Sequence, residues 1–188
     1  MSHQISEEEL LIAGCKRNEM WARKDLYERY APIMMGVCVR YTNDRETARD
    51  VLQEGFIKLY AKIDTYSGTG SFKGWMRRVF VTTALEYLQK NQLNRFFDEY
   101  DDKMEDTGGT TALEKISADE LLACIAELPH GFRTIFNLYA IEGYSHSEIA
   151  EILKIKESTS RSQFTRARQL LQKNIQSIMM YDNARKNN

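Results

Sequence analysis

The chain has 188 residues, of which 43% are hydrophobic and 28% charged, a size and balance that suit one medium domain or two small ones. Its three cysteines are scattered without a CxxC pair, which argues against both a disulfide framework and a zinc site. No apolar run approaches the ~20 residues of a membrane span, and the acidic N-terminus, MSHQISEEELL, lacks the basic and then apolar order of a secretory signal. We therefore expect a soluble, cytoplasmic protein that is not itself a membrane protein.

Helical periodicity runs through most of the chain, and no segment alternates apolar and polar residues for long, so we predict an all-α fold. The predicted helices span residues 6–15, 19–41, 44–63, 71–92, 116–128, 130–142, 145–153 and 158–178.

Helix boundaries are marked by local signals. The capping-box spacing of Ser and Glu occurs at Ser6, Ser117 and Ser145, and Asn43 with Glu46 is the Asn-capped equivalent. Pro32 should kink or break the second helix. Pro129 can stand at the start of the sixth helix, where its missing N–H costs little free energy. Gly143 suits the left-handed backbone conformation that often ends a helix, and it should end the sixth helix.

The helical pattern fails between Asn91 and Thr111, where an acidic run and a Gly-Gly pair predict a flexible linker. Residues 1–90 hold 14 basic and 12 acidic side chains, residues 91–120 hold 3 and 9, and residues 121–188 hold 9 and 6, so the net charge of −1 conceals a basic tail. We predict two small helical domains, 1–91 and 114–188, joined by a flexible acidic linker, 92–113.

The stretch YSHSEIAEILKIKESTSRSQFTRARQLLQK, residues 144–173, predicts two short amphipathic helices joined by a small turn, as in a helix-turn-helix. With about 100° per residue, Ser160, Phe164, Ala167 and Leu171 share the inner face of the second helix. The outward face then carries Arg, Gln, Ser and Thr, the side chains suited to base edges and phosphates. An ordinary helical hairpin with a solvated polar face is the alternative.

Two stretches of the first domain also stand out. In RDVLQEGFIKLY, residues 49–60, Asp50 and Gln53 lie one turn apart and present a joint polar surface, while Phe56 can serve the core. In SFKGWMRR, residues 71–78, aromatic and basic side chains alternate at the start of a helix, which is typical of a platform for unstacked bases. The alternative is that Phe72 and Trp75 are core residues.

These parts together resemble a bacterial RNA polymerase sigma factor of the extracytoplasmic-function (ECF) group. LYERYAPIMMGVCVRYTNDRETARDVLQEGFIKLY and FKGWMRRVFVTTALEYLQK resemble the two halves of sigma region 2, and ELPHGFRTIFNLYAIEGYSHSEIAEILKIKESTSRSQFTRARQLL resembles region 4. The resemblance covers about residues 8–175. It implies that 1–91 is region 2, that 114–188 is region 4, and that the linker, 92–113, enters the polymerase. The alternative for the linker is a plain flexible tether.

The resemblance also implies contact residues for each partner. Core RNA polymerase would be bound through Asp50, Gln53, Glu54 and Phe56. The −10 element of promoter DNA would be bound and melted by Phe72, Trp75, Arg77, Arg78 and Thr82, beside a loop, 64–71, that accepts a flipped base. The −35 element would be bound by Ser158, Thr159, Arg161, Ser162, Gln163, Thr165, Arg166 and Arg168.

No catalytic residue, metal site or cofactor is expected, because sigma factors have no catalytic centre of their own. The resemblance further implies an anti-sigma factor as a probable partner, whose identity the sequence does not give. Thr82, Glu86, Ser160 and Gln163 stand where relatives often have Asn, Asp, Val and Arg, so promoter preference does not transfer.

Two other functions are alternatives to this one. A stand-alone helix-turn-helix regulator would use residues 144–173 alike, but it leaves residues 44–90 unexplained. An enzyme with a DNA-binding tail would need convergent acid, base or metal groups, and His3, His130 and His146 show no such spacing.

Overall fold

The structure is a computed structural model that describes residues 6–90 and 116–186, with side chains of the second range described up to residue 180. The predicted linker, 92–113, lies outside the described residues. Within the described ranges the chain is helical and has no strand, and the all-α prediction is confirmed. The helices are α1 (Glu7–Lys16), α2 (Met20–Thr42), α3 (Arg45–Lys62), α4 (Phe72–Lys90), α5 (Ala118–Ala126), α6 (His130–Phe136), α7 (His146–Leu153) and α8 (Glu157–Lys186).

The chain divides into two compact units, Met1–Asn91 and Gln92–Asn188. In the first unit α2, α3 and α4 pack against one another, and the side chains of Leu26, Leu59 and Phe80 are fully buried between them. Gly55 lets α3 approach α4 closely, because a methyl group at this position would collide with the ring of Phe80. The exposed faces of α3 and α4 are thereby held at a fixed separation.

Local capping residues set three of the helix starts in the way that the sequence predicts. Complete capping boxes are present at Ser6, Ser117 and Ser145, each with the glutamate three residues later. The prediction for Asn43 is wrong. Asn43 ends α2 in the left-handed conformation at φ 65°, and Asp44 caps α3 by accepting a hydrogen bond from the Thr47 N–H.

Pro32 does not break α2, which continues for ten residues beyond it to Thr42. The proline is exposed, so the carbonyl left without its usual intrahelical donor lies on the solvent side of the helix, where the missing bond costs little. Of the two expected effects, a kink or a break, the break is absent.

The second unit is built around a buried cluster that joins α5, α6 and α8. The cluster consists of Cys124, Ile125, Leu128, Phe132, Ala167, Leu171 and Ile175. Arg133 is buried beneath the end of α5, where its guanidinium donates a hydrogen bond of 2.7 Å to the Ala126 carbonyl and a longer one to the Leu128 carbonyl. These bonds satisfy the last carbonyl of α5 and one carbonyl of the turn that follows it.

The predicted helix 130–142 is present, but its last turn has a wider winding. After α6 the backbone forms a π turn over Asn137–Ile141, in which the Glu142 N–H donates to the Asn137 carbonyl at 2.9 Å. Gly143 then stops the segment at φ 79°, as predicted. This turn brings Tyr139 over the start of α7.

The three cysteines are buried and unpaired, and burial raises the pKa of the Cys15 thiol to about 11 and that of Cys38 to about 12. In the described ranges no helix combines the length and the apolar character that a bilayer crossing requires.

Candidate nucleic-acid interface

The helix-turn-helix of the second unit consists of α7, a short turn and α8. Lys154 makes the turn in the left-handed conformation at φ 56°, and the Ile155 N–H donates to the Ala150 carbonyl at 3.1 Å. Ile149 and Leu153 of α7 are buried, as are Ala167 and Leu171 of α8. One face of α8 is therefore buried in the core of the unit, and the opposite face, called the open face below, is exposed to solvent.

The open face of α8 carries most of the residues predicted for the −35 element. Exposed residues are Ser158, Arg161, Ser162, Thr165 and Arg168, and half-buried residues are Thr159 and Arg166. The Ser162 hydroxyl donates to the Thr159 carbonyl, and the Thr165 hydroxyl donates to the Arg161 carbonyl, both at 3.1 Å. Such hydroxyls keep free acceptor lone pairs and can rotate toward a phosphate or a base.

Gln163 is a correction to the predicted set, because its side chain is only 3% exposed. On a helix with about 100° per residue it lies roughly 60° from Ser160, nearer the buried stripe than the open face. Its amide is packed within the unit, apart from the exposed residues of α8.

Arg161 is the exposed cation nearest the start of the open face. Its guanidinium forms an ion pair with Glu157, one turn earlier on the same helix. Exposed pairs at this spacing contribute only about 0.3–0.5 kcal/mol, so a DNA phosphate or a guanine edge can displace the carboxylate at little cost.

In the first unit, the loop predicted to accept a flipped base is tied down at both ends. The Tyr66 hydroxyl donates to the Gly70 carbonyl at 2.8 Å, and Lys16 of α1 donates to the Tyr66 carbonyl at 2.8 Å. Gly68 and Gly70 adopt φ values of 80° and 78°, a conformation that favours glycine. The tip of the loop, 67–71, is exposed.

Phe72 is a second correction, since its ring is 1% exposed and belongs to the core. It packs edge-on against Tyr66 at 5.1 Å and stacks with Trp75 at 5.7 Å between ring centroids. Trp75 is half-buried, so it is the aromatic of this group that keeps a partly open surface. Farther along α4, Arg78 and Thr82 are exposed one turn apart, and Arg77 is half-buried.

The face of α3 predicted to bind polymerase is open at three of its four positions. Asp50, Gln53 and Glu54 are exposed, whereas Phe56 is 3% exposed and packs on Tyr27 and Phe80, with centroid distances of 4.7 and 5.0 Å. Phe56 is thus a core residue, as the helix pattern predicts, and it does not belong to the exposed face that the resemblance implies for polymerase. Sequence reasoning missed Ile57, whose side chain is 64% exposed one turn after Gln53.

Sequence reasoning also missed an ion-pair network that joins α3 to α4. Lys58 lies 3.4 Å from Glu54 on its own helix and 2.5 Å from Glu86 on α4. Burial alone would lower the pKa of Lys58, but the bonds to Glu86 and Glu54 outweigh it and raise that pKa. These side chains line a cleft of about 390 Å³ between the two helices, together with Asp50, Tyr87 and Lys90.

Comparison with known proteins matches both units to one family. Residues 26–93 match sigma-70 region 2, and residues 118–171 match sigma-70, region 4. The chain is 30% identical to the ECF RNA polymerase sigma-E factor of Haemophilus influenzae, over 95% of this chain and 100% of that protein. It is 29% identical to the RNA polymerase sigma-H factor of Pseudomonas aeruginosa, over 92% of this chain and 96% of that one.

A solved structure of the sigma factor RpoE from Bartonella quintana, in complex with the anti-sigma factor NepR, is 20% identical and has a TM-score of 0.49. It aligns over 81% of this chain and 96% of the solved chain.

Proposed function

Because this chain belongs to the ECF group of RNA polymerase sigma factors, which are transcription initiation factors, we propose that it binds core RNA polymerase and directs it to specific promoters. The observation that carries this proposal is the ordered pair of sigma regions, 2 and then 4, on the two structural units. A stand-alone helix-turn-helix regulator would account for α7 and α8 only. It would not explain why residues 26–93 match sigma-70 region 2.

In this proposal α3 binds the polymerase. Asp50, Gln53 and Glu54 are exposed on one helix, and Ile57 adds an exposed apolar side chain next to them. An apolar anchor beside hydrogen-bonding side chains is the usual composition of a protein interface. Phe56 contributes indirectly, by fixing α3 against the core.

Region 2 also binds the −10 element in this proposal, through the tied loop and α4. Trp75 offers a partly open ring for stacking of an unpaired base, an interaction worth about 1–3 kcal/mol. Arg77, Arg78 and Thr82 follow along α4 and supply cations and a hydroxyl for the DNA backbone or base edges.

Region 4 binds the −35 element through α8 in the major groove. The open face combines Arg161 and Arg166 with Ser162 and Thr165, while Ser158 and Thr159 lie at the start of the helix, where N–H groups bind phosphate well. We assign base contacts to Arg161, Ser162, Thr165 and Arg166, and a phosphate contact to Arg168.

An anti-sigma factor is the third partner that we propose, on the ground of family membership alone. Its identity would come from proteins that co-purify with the chain from its own cells.

The polymerase assignment is tested by competition for core enzyme. The double variant Asp50→Ala with Gln53→Ala removes polar contacts but leaves the packing of α3 intact, because both side chains are exposed. Interfacial contacts of this kind cost about 2–4 kcal/mol when truncated, so the variant should lose competition against the wild type while its circular dichroism stays unchanged. Arg45→Ala with Glu46→Ala, exposed in the first turn of α3, is the matched control. If the Asp50→Ala, Gln53→Ala variant competes for core enzyme as well as the wild type does, the assignment of α3 to polymerase fails.

A further inference from the structure

A hydrogen bond between two buried polar side chains joins the helices of the helix-turn-helix. His146 Nδ1 and Ser160 Oγ lie 2.9 Å apart, and the two residues are 9% and 0% exposed. Ser160 lies on the stripe of α8 that otherwise packs through apolar residues such as Ala167 and Leu171. A hydroxyl placed there costs free energy unless it is bonded, and His146 supplies the bond.

The imidazole ring is fixed on two sides. Tyr139, from the π turn, stacks on it with a centroid distance of 4.2 Å and an interplanar angle of 12°. Phe164, one turn after Ser160 on α8, meets the same ring edge-on at 5.7 Å. These contacts set the plane of the ring, and the hydrogen bond to Ser160 selects the ring orientation in which Nδ1 points at the hydroxyl.

A bond of fixed direction constrains a helix differently from apolar packing. Apolar contacts tolerate small rotations of one helix against another, whereas a hydrogen bond weakens steeply when its angle changes. Ser160 immediately precedes Arg161 and Ser162, and both of these are exposed on the open face of α8. A rotation of α8 about its own axis would therefore change the directions in which these two side chains point.

We propose that the His146–Ser160 hydrogen bond is a positioning contact that sets the rotation of α8 against α7, and so determines which base edges Arg161 and Ser162 contact. The inference rests on the proposed function of region 4. Neither His146 nor Ser160 touches DNA in this account, so both act on promoter preference only through other residues.

The test uses the full chain with core polymerase on a promoter library randomised over the −35 element, with transcripts counted by sequencing. The double variant His146→Phe with Ser160→Val replaces the pair by apolar groups of similar shape, so it leaves no unsatisfied polar atom. It should stay folded by circular dichroism at the assay temperature. Its preference between the best and the worst base should fall by about tenfold at one or two −35 positions.

Three further variants separate positioning from simple stability. Ser160→Ala removes only the hydroxyl and should show the same loss of preference, which keeps the test valid if the double variant does not fold. His146→Asn keeps a polar group near the position of Nδ1, so this variant should retain most of the wild-type −35 preference. Ile149→Val, in the buried face of α7, should lower the melting temperature without changing the preference.

Two results would overturn the inference in distinguishable ways. If the double variant and Ser160→Ala keep the wild-type preference at every −35 position, the bond is structural only, and region 4 still functions as proposed. If the wild-type chain itself has no −35 preference, the proposed function of region 4 fails and this inference fails with it.

Discussion

Lys58 of α3 lies 2.5 Å from Glu86 of α4, so one ion pair joins the helix assigned to polymerase to the helix assigned to the −10 element. The lysine side chain is 27% exposed, and it also lies 3.4 Å from Glu54. Two carboxylates thus share one ammonium group at the edge of the cleft. Without Lys58 the carboxylates of Glu54 and Glu86 would repel each other across the cleft.

We expect Lys58→Met to lower the free energy of unfolding of the first unit by about 1 kcal/mol at low salt, and by less at high salt, because salt screens exposed charges. Urea unfolding at two salt concentrations measures this effect. Lys24→Met is the matched control, since Lys24 forms a looser pair with Glu28 at 3.8 Å and is 71% exposed. An equal effect of both substitutions would show that Lys58 does not join the two helices energetically.

Two glycine-to-alanine substitutions, one in α3 and one in α2, should change the melting temperature in opposite directions. Gly55→Ala gains helix propensity of about 1 kcal/mol but forces a methyl group against Phe80, and overpacking of this kind typically costs about 1–3 kcal/mol. Gly36→Ala gains the same propensity, and no atom lies within 4 Å of the added methyl group. We therefore expect Gly55→Ala to lower the melting temperature and Gly36→Ala to raise it. A rise in both variants would contradict the close packing of α3 on α4.

The stability of the second unit should depend on pH through His146. Burial lowers the pKa of His146, the nearby Arg161 lowers it further, and Glu157 opposes them. Glu148 and Tyr144 line the same surface cavity, and Tyr139 covers the ring. The unfolded chain therefore takes up the proton at a higher pH than the folded unit does. It follows that stability is greatest above the ordinary histidine pKa of about 6.5 and falls as the pH drops toward the lower, folded value.

Urea unfolding between about pH 5 and pH 7.5 measures this dependence, and His146→Asn is the control, because asparagine cannot titrate in this range. His130 remains in both proteins, so its contribution cancels in the comparison. Identical pH dependence of the wild type and His146→Asn would refute the assignment to His146.

The two arginines at the far end of the open face of α8 should behave differently. Arg168→Ala should weaken binding evenly across −35 sequences and reduce the slope of log affinity against log salt by about one, as the loss of one phosphate contact does. Arg166→Ala should instead relax the preference at one or two positions, because a bidentate contact to guanine is worth about 1–3 kcal/mol. A saturation scan of the −35 element against each variant measures both. Uniform loss with Arg166→Ala would make it a phosphate contact.

Helix content and most helix starts could be predicted from the sequence because they depend on neighbouring residues. The three capping boxes and the stop at Gly143 are signals within one or two turns, and the structure contains all of them. Asn43 and Asp44 are adjacent residues that can both cap, and the sequence does not decide which of them ends one helix and which begins the next. Pro32 leaves α2 unbroken, because the cost of the missing hydrogen bond depends on which side of α2 faces solvent.

Site residues were harder to predict, since burial depends on the rotation of each helix against its neighbours. Phe56 and Phe72 each have a second aromatic residue within one turn, Tyr60 and Trp75, and only the packing of α2, α3 and α4 decides which ring is enclosed. Gln163 could have been excluded by its angle from Ser160. The pairing of Lys58 with Glu86 spans 28 residues and leaves no local signal.

Transcription in vitro with purified core polymerase tests the central claim most directly. Core enzyme alone, core enzyme with the wild-type chain, and core enzyme with the Asp50→Ala, Gln53→Ala variant are each given the same library of promoter DNA fragments, and the transcript start sites are sequenced. We predict that the wild-type chain produces starts at a defined set of promoters with shared −35 and −10 sequences, and that core enzyme alone and the variant produce few or none. Starts that are no more specific with the chain than with core enzyme alone would contradict its function as a sigma factor.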